Sequence, residues 1–258
     1  MGIINKHGIK YWLLQLTLIA TVFDAYCFFY VGTFPITISF FLLTTLTCLN
    51  IVQSIKNSKI VTKDFLAVLL FIVIGITSFA FSPIENNITS LVLLIYFLIT
   101  YLFSNDKMSE EELRSIFRVY WYVLIGVMLF GIYQFGAYML DLPFQEIEIL
   151  QKVEGFNTSN TVTIGSFRLK RIHSICLEPS VFSQYCALGV LLSFVYSRKS
   201  SEKWILSIMF GIAIVLSLSG TGIILLAGFM LIYFVKIKNK INTKMDFAPA
   251  YLPCLPFV

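Results

Sequence analysis

The chain has 258 residues, of which 58% are hydrophobic and only 13% are charged, and its mean hydropathy is +0.84. Soluble domains carry roughly 25% charged and about 45–50% apolar residues, so this sequence lacks the polar surface that a soluble protein of its size needs. The composition excludes a soluble enzyme, a disordered chain and a secreted disulfide scaffold. It predicts an all-α, polytopic membrane protein.

Eight apolar stretches approach the length of about 20 residues that a helix needs to cross a bilayer. The first follows Lys6 and Lys10 but lacks a small-residue cleavage site, so we expect it to be retained as a span and not removed as a signal peptide. In chain order the predicted spans are 11–31, 34–53, 65–82, 88–104, 116–140, 179–197, 203–218 and 221–236. They predict one transmembrane domain over residues 1–244, followed by an irregular tail, 245–258.

Two polar features stand out in or beside these spans. Ser109 lies shortly before the fifth span, and Glu112 follows Ser109 by three residues. This spacing predicts a capping box at the helix start. Asp24 lies near the middle of the first predicted span, where a carboxylate is costly and often functional. It could carry a proton or line a substrate groove, or it could simply bond to a hydroxyl of a neighbouring helix.

The basic residues orient the chain in the membrane. With a cytoplasmic N-terminus, fifteen of the 19 lysines and arginines lie on the cytoplasmic side, as the positive-inside rule requires. This bias predicts a multi-pass membrane protein whose N-terminus is cytoplasmic. Because the cations lie between apolar runs and not along one face, the net charge of +5 does not indicate nucleic-acid binding.

The cysteines and histidines do not form a metal or redox motif. No C-x-x-C pair is present, and the two histidines, His7 and His173, are far apart in the predicted topology. We therefore expect no metal and no cofactor, and we expect the cysteines to act as small buried apolar residues. The five cysteines are Cys27, Cys48, Cys176, Cys186 and Cys254.

One predicted external loop, residues 141–178, is long and departs from the charge rule. It begins acidic and ends basic, and long loops of this kind are commonly functional. At the end of this loop, Glu178 precedes Pro179, and proline suits the first turn of the sixth span. The four external cations are Lys152, Arg168, Lys170 and Arg171.

Two interpretations of this basic cluster remain open. Arg171 and Glu178 could form an ion pair that closes the loop over the helices, which is the commoner arrangement. Alternatively, the arginines could bind a phosphate or diphosphate at the membrane surface, with Glu178 near the reacting group. His173 lies beside Arg171, and we expect a structural role for it because a lone interfacial histidine is more often structural than catalytic.

The stretch Arg171-Ile-His-Ser-Ile-Cys-Leu-Glu178-Pro179-Ser180 resembles a motif of the bacterial O-antigen and capsule polymerase/ligase family. In that family an arginine precedes Glu-Pro-Ser where the chain leaves a large external loop. Tyr133-Gln134-Phe135 with Leu142-Pro143-Phe144 is similar to the end of the preceding span. Leu216-Ser-Leu-Ser-Gly-Thr-Gly222 is similar to a serine-rich turn between later spans. The resemblance covers about residues 116–236.

The resemblance implies an integral membrane glycosyltransferase whose substrate is an oligosaccharide on undecaprenyl diphosphate. It implies that Arg168, Lys170 and Arg171 bind the diphosphate, and that Arg171 stabilises its departure. Glu178 would orient or deprotonate the acceptor hydroxyl, unless it holds Arg171 in place. Membrane lipid and other polysaccharide-assembly membrane proteins are the further expected partners, and nucleic acid is not.

The chain also departs from the family. Gly220 stands where relatives often have arginine, and the chain stops at Val258, where relatives usually continue into further spans and a second large loop. We therefore expect a truncated member that lacks part of the active site. Two alternatives remain: a transporter or flippase for a lipid-linked or anionic substrate, and a noncatalytic remnant that associates with other membrane proteins.

Overall fold

A computed structural model describes residues 8–31, 34–56, 62–80, 88–103, 108–145, 151–153, 161–164 and 167–242. These residues are mostly helical, with a few short strands. The helices are α1 (Ile9–Thr21), α2 (Ile38–Lys56), α3 (Thr62–Ala80), α4 (Ile88–Phe103), α5 (Glu110–Leu140), α6 (Pro179–Tyr196), α7 (Ser200–Leu216) and α8 (Gly220–Asn242). The strands are β1 (Tyr26–Val31), β2 (Phe34–Thr37), β3 (Gln151–Lys152), β4 (Thr161–Ile164) and β5 (Phe167–Lys170).

Each of the eight predicted spans overlaps one of these helices. Within the described residues, however, three helices are long and apolar enough to cross a membrane, namely α2, α5 and α6. The described apolar parts of α3, α4 and α8 are shorter. The described residues therefore include helices that could cross a membrane by length and composition, while the total of eight spans stays a prediction.

The first predicted span is wrong in its second half. Helix α1 ends at Thr21, and after a turn over residues 22–25 the chain forms the antiparallel hairpin β1–β2, with Tyr30 opposite Pro35. The run Tyr26–Val31 is rich in aromatic and β-branched residues, which favour strands. Asp24 consequently lies in the turn, where it accepts a hydrogen bond from the Ser39 hydroxyl.

The chain divides into two compact units, Met1–Met108 and Ser109–Val258. In the first unit α2 packs against α1 and α4, and α3 packs against α4. Hydroxyl groups link α2 to α4: Thr44 lies 3.0 Å from the Tyr96 hydroxyl, and Thr47 donates to Thr100 over 3.2 Å.

In the second unit α6 is the central helix and contacts α5, α7 and α8. Two glycines allow close approach between helices. A β-carbon added at Gly131 of α5 would overlap the Phe182 ring of α6, and one added at Gly189 of α6 would overlap the Phe210 ring of α7. Both rings are fully buried. Small residues of this kind let helix backbones approach closely where lipid offers no hydrophobic driving force.

The predicted capping box starts α5. The Ser109 hydroxyl accepts from the Glu112 backbone N–H over 3.2 Å, and the Glu112 carboxylate accepts from the Ser109 N–H over 3.0 Å. The helix therefore begins at Glu110, six residues before the predicted span, and ends at Leu140, after which Asp141 caps it with a left-handed backbone (φ 52°). Asn, Asp and Gly tolerate this conformation best.

Parts of the predicted loop form a second hairpin, in which β4 and β5 pair antiparallel with Thr161 opposite Lys170. The acidic residues Glu146, Glu148 and Glu154 and the tail 245–258 lie outside the described residues. Of the cysteines, Cys27, Cys176 and Cys186 are buried thiols as predicted, Cys48 is exposed, and Cys254 lies outside the described residues.

Candidate functional site

The Arg171–Ser180 stretch and the serine-rich turn Leu216–Gly222 meet at one end of the second unit. Helix α5 ends there at Leu140, α6 begins at Pro179, α7 ends at Leu216 and α8 begins at Gly220. The segment 171–178 enters α6 at the same end. We call this region the Arg171 end.

Arg171 connects these motifs directly. Its Nε donates a hydrogen bond to the backbone carbonyl of Ser217 over 2.9 Å, across 46 residues of sequence. The side chain is half-buried, and its terminal nitrogens make no hydrogen bond to any residue that the structure describes. Because a guanidinium is planar, anchoring Nε fixes the direction in which the two terminal NH₂ groups point.

The carbonyl that receives Arg171 belongs to a sharply bent turn. Ser217 caps α7, and its hydroxyl donates to the Ile214 carbonyl over 2.6 Å. Leu218 then adopts a left-handed backbone with φ 49°, which is uncommon for a residue other than glycine. This bend ends α7 and lets α8 start at Gly220, so the serine turn both reverses the chain and supplies the anchor for Arg171.

Glu178 lies at the N-terminus of α6 without capping it. Its backbone is extended, and its carboxylate accepts a hydrogen bond from the Ser180 hydroxyl over 2.9 Å instead of bonding to the first helical N–H groups. Pro179 fills the first helical position, where a missing N–H costs nothing. The carboxylate is half-buried and is held by a single hydroxyl among the described residues.

Further hydroxyl groups line the contact between α6 and α8. Ser183 donates to the Ser180 carbonyl over 2.7 Å and lies 3.4 Å from the Thr221 hydroxyl, which is itself 2.7 Å from the Ser219 hydroxyl. The contact is tight because a β-carbon at Gly222 would lie 2.5 Å from the Ser183 β-carbon. The glycine of the serine turn therefore brings a row of hydroxyls next to the start of α6.

A buried glutamine fixes the segment between Arg171 and Glu178. The Gln134 side chain of α5 is fully buried, and its Oε1 accepts the backbone N–H groups of His173 and Ser174 over 3.0 and 2.9 Å. Its Nε2 donates to the Gln145 carbonyl over 2.9 Å. The Ser174 hydroxyl donates to the Val127 carbonyl over 2.7 Å. These bonds satisfy buried backbone groups that are costly to leave unpaired.

The other predicted site residues have different surroundings. The Lys170 ammonium lies 3.8 Å from the centre of the Tyr138 ring, a cation–π contact. Arg168 lies in β5 opposite Thr163, and its side chain is outside the described part of the chain. His173 is buried and its Nδ1 donates to the Cys176 carbonyl over 3.0 Å, a contact that favours the structural role.

The ion pair between Arg171 and Glu178 is not formed. Among the described residues the structure has one ion pair, Arg114 with Glu110, far away at the start of α5. The interpretation in which Arg171 only closes the loop through Glu178 is therefore wrong, because Arg171 is held by Ser217 and Glu178 by Ser180.

The electrostatics of the Arg171 end favour an anion. The N-termini of α6 and α8 both lie there, and the partial positive charge of a helix N-terminus adds to that of Arg171. A guanidinium anchored on one side can bind two oxygens of a phosphate with its remaining donors. Glu178 adds a carboxylate that could accept a proton from a hydroxyl.

Sequence reasoning did not assign roles to Gln134, Ser217 or Ser180, although all three lie within the quoted motifs. A glutamine inside an apolar span was the one available signal, since a buried amide must find partners. Nothing in the sequence indicated that a serine carbonyl, and not a carboxylate, would hold Arg171.

Comparison of the chain with protein-family models, with curated proteins and with solved structures finds no match. The resemblance to the polymerase/ligase family therefore stays a prediction from short motifs. Within the described residues no cluster of three histidine, cysteine or acidic side chains could hold a metal ion.

Proposed function

We propose that the protein is an integral membrane glycosyltransferase that polymerises or ligates oligosaccharide units carried on undecaprenyl diphosphate. We further propose that it acts at the external face of the bacterial cytoplasmic membrane. The observation that carries the proposal is the anchored guanidinium of Arg171, whose Nε is bonded to the Ser217 carbonyl while its terminal nitrogens bond to none of the described residues. This arrangement suits the recognition of a diphosphate better than a loop-closing ion pair would.

The position of the site supports a lipid-linked substrate. Helix α6, a candidate membrane span, begins at Pro179, so Arg171 and Glu178 precede the point where the chain becomes apolar. A polyprenyl diphosphate places its charged group at such a boundary, with the tail in lipid and the glycan in water. The cations of the loop 141–178 also depart from the positive-inside bias, which supports a specific role for them.

In the proposed reaction, Arg171 and Glu178 act on the two reacting groups. The bond between the anomeric carbon and the diphosphate oxygen breaks, and the oxygen of the acceptor hydroxyl forms the new bond to that carbon. The charge that develops on the departing diphosphate is stabilised by bidentate hydrogen bonds from Arg171. The proton of the acceptor passes to the Glu178 carboxylate and then to water.

The proposal is tested by replacing Arg171 with alanine and with lysine in cells that make the lipid-linked oligosaccharide but have no other polymerase or ligase. We expect both variants to lose long glycan chains, because lysine keeps the charge but cannot donate from Nε and the terminal nitrogens together. Glycan length on gels and protein amount in membranes are the measurements. The matched control is Arg114→Ala, since Arg114 is exposed and pairs with Glu110 at the other end of α5.

Three outcomes would contradict the proposal. Unchanged glycan length in Arg171→Ala at normal protein levels would exclude the diphosphate role. Equal losses in Arg171→Ala and Arg114→Ala would indicate a general effect on the protein. Purified protein that moves the lipid-linked substrate across vesicles, without forming a glycosidic bond, would establish the transporter alternative.

A further inference from the structure

A second group of cations lies at the opposite end of the second unit, where α6 turns into α7. Arg198 and Lys199 occupy the short connection between the two helices, and Lys203 lies one turn into α7, where its backbone N–H donates to the Lys199 carbonyl over 3.1 Å. Arg198 and Lys199 are exposed, and Lys203 is half-buried. We call these three residues the corner patch.

The corner patch is not neutralised by carboxylates. Glu202 is the acidic residue within this stretch, and its Oε2 accepts the backbone N–H of Arg198 over 3.1 Å. None of the three cations forms an ion pair with a residue in the described ranges, where Arg114–Glu110 is the ion pair present. Within residues 197–203, three cations therefore accompany one carboxylate that is partly engaged by the backbone.

Aromatic rings surround the cation that lies nearest the helices. The Lys203 ammonium lies 5.4 Å from the centre of the Phe194 ring and 5.9 Å from that of Trp204, and these two rings pack edge to face. Trp204 is exposed. Tryptophan and lysine together are typical of the zone where a helix leaves the hydrocarbon of a bilayer, since both have an apolar body and a polar end.

An exposed apolar stripe runs along α7 from Ile205, which lies two residues, or about 200° around the helix, from Lys203 and therefore on a different face. Its members are spaced by three or four residues, so they lie on one face of the helix. They are Ile205, Ile208, Ile212 and Val215, all of them exposed. A ligand with an anionic head and apolar chains would place its head on the corner patch and its chains on this stripe.

We propose that the corner patch binds the phosphodiester headgroup of an anionic phospholipid whose acyl chains pack against the exposed stripe of α7. The cations favour an anionic headgroup, and the exposed apolar residues favour a ligand with acyl chains over a soluble phosphate. This site lies at the opposite end of α6 from Arg171 and does not depend on the proposed glycosyltransferase activity. Each basic residue near a membrane surface contributes about fivefold to the binding of anionic lipid.

The test uses the full chain purified in a neutral detergent. Thermal unfolding is measured with added phosphatidylglycerol, with phosphatidylcholine and with glycerol 3-phosphate, and the bound lipid is counted by native mass spectrometry. We expect phosphatidylglycerol alone to bind and to raise Tm. In the triple variant R198Q/K199Q/K203Q its binding should weaken by about 100-fold. The control Arg114→Gln also removes a basic residue of this unit, but one that is already paired with Glu110, and it should bind as the unchanged chain does.

A second variant, Ile208→Ser, tests the stripe without altering charge. It should weaken the binding of phosphatidylglycerol, while the preference for phosphatidylglycerol over phosphatidylcholine should stay the same. Equal binding by the triple variant and the unchanged chain would overturn the proposal. So would equal binding of phosphatidylcholine, which would show adsorption to the apolar surface alone. Protection by glycerol 3-phosphate at the same concentration would indicate a soluble phosphate ligand instead and would also overturn it.

Discussion

The two units of the chain hold their helices together by different means. In the first unit, hydroxyl groups bridge α2 and α4 at half-buried positions, and many large apolar side chains of α3 and α4 remain exposed. In the second unit, fully buried rings fit against glycines, and a buried amide satisfies backbone groups between helices. Such close packing leaves little freedom, which is what an oriented Arg171 and Glu178 require.

The difference is clearest at two glycines. A β-carbon at Gly75 in the first unit would meet Leu94, whose flexible end is partly exposed and can move. A β-carbon at Gly131 in the second unit would overlap the ring of Phe182. This ring is 0% exposed and has no free space into which it could move. Similar helical glycines should therefore respond very differently to alanine.

A large effect on stability is expected for Gly131→Ala. Forcing a methyl group against the Phe182 ring should cost about 1–3 kcal/mol of stability, as overpacking of a dense core does. Thermal unfolding in one detergent should show a clear fall in Tm for this variant and little change for Gly75→Ala. The packing difference between the units would be refuted if the two variants shifted Tm equally.

A matched control lies on the same helix. A β-carbon at Gly126 of α5 would meet nothing within 4 Å, so Gly126→Ala should leave Tm unchanged or raise it, because alanine favours helix over glycine by up to about 1 kcal/mol. Adding Phe182→Leu to Gly131→Ala should recover part of the lost Tm by making room for the methyl group. Without that recovery, the clash with Phe182 is not the cause.

The second prediction compares two buried glutamines. Gln134 bonds to two buried backbone N–H groups and to the half-buried carbonyl of Gln145, and Gln134→Leu removes all three bonds. Each buried N–H that stays unpaired should cost about 1–3 kcal/mol, and relaxation of the structure should recover part of this cost. Gln15 of α1 is also buried, but its Oε1 has no hydrogen-bond partner within the described residues. Gln15→Leu should therefore be neutral or stabilising.

Activity gives this comparison a second measurement. If Gln134 positions the segment 171–178, then Gln134→Leu should also shorten the glycan under the proposed function, whereas Gln15→Leu should not. A normal Tm for Gln134→Leu would show that its bonds are dispensable. A fall in Tm with full activity would restrict Gln134 to a structural role.

The helices were predictable from sequence because apolar runs of nearly bilayer length leave few alternatives. The exact ends of the helices were less predictable. Strand-forming residues after Asp24 form a hairpin where the second half of the first span was predicted, and the capping box at Ser109 starts α5 earlier than hydropathy indicated. The proximity of Arg171 to the serine turn was not predictable, since it depends on how α6 packs against α7 and α8. A backbone carbonyl as the partner of an arginine leaves no trace in the sequence.

The smallest expected effect compares single hydrogen bonds in the two units. The Trp121 indole N–H donates to the Ser193 hydroxyl over 3.1 Å, and both residues are buried. Removing it in Trp121→Phe should cost about 1 kcal/mol for the bond and more for the lost ring area. In the first unit, Tyr96→Phe removes the 3.0 Å contact with Thr44 at a half-buried position, and it should cost about 0.5 kcal/mol.

Ser193→Ala separates the bond from the ring, because it deletes the hydroxyl and keeps the indole. Ser193→Ala also removes the bond from the Ser193 hydroxyl to the Gly189 carbonyl, so an effect on Tm equal to that of Trp121→Phe would show that losing this hydroxyl costs as much as losing the indole. If Tyr96→Phe cost more than either, hydroxyl bridges and not close packing would be the stronger constraint in this chain.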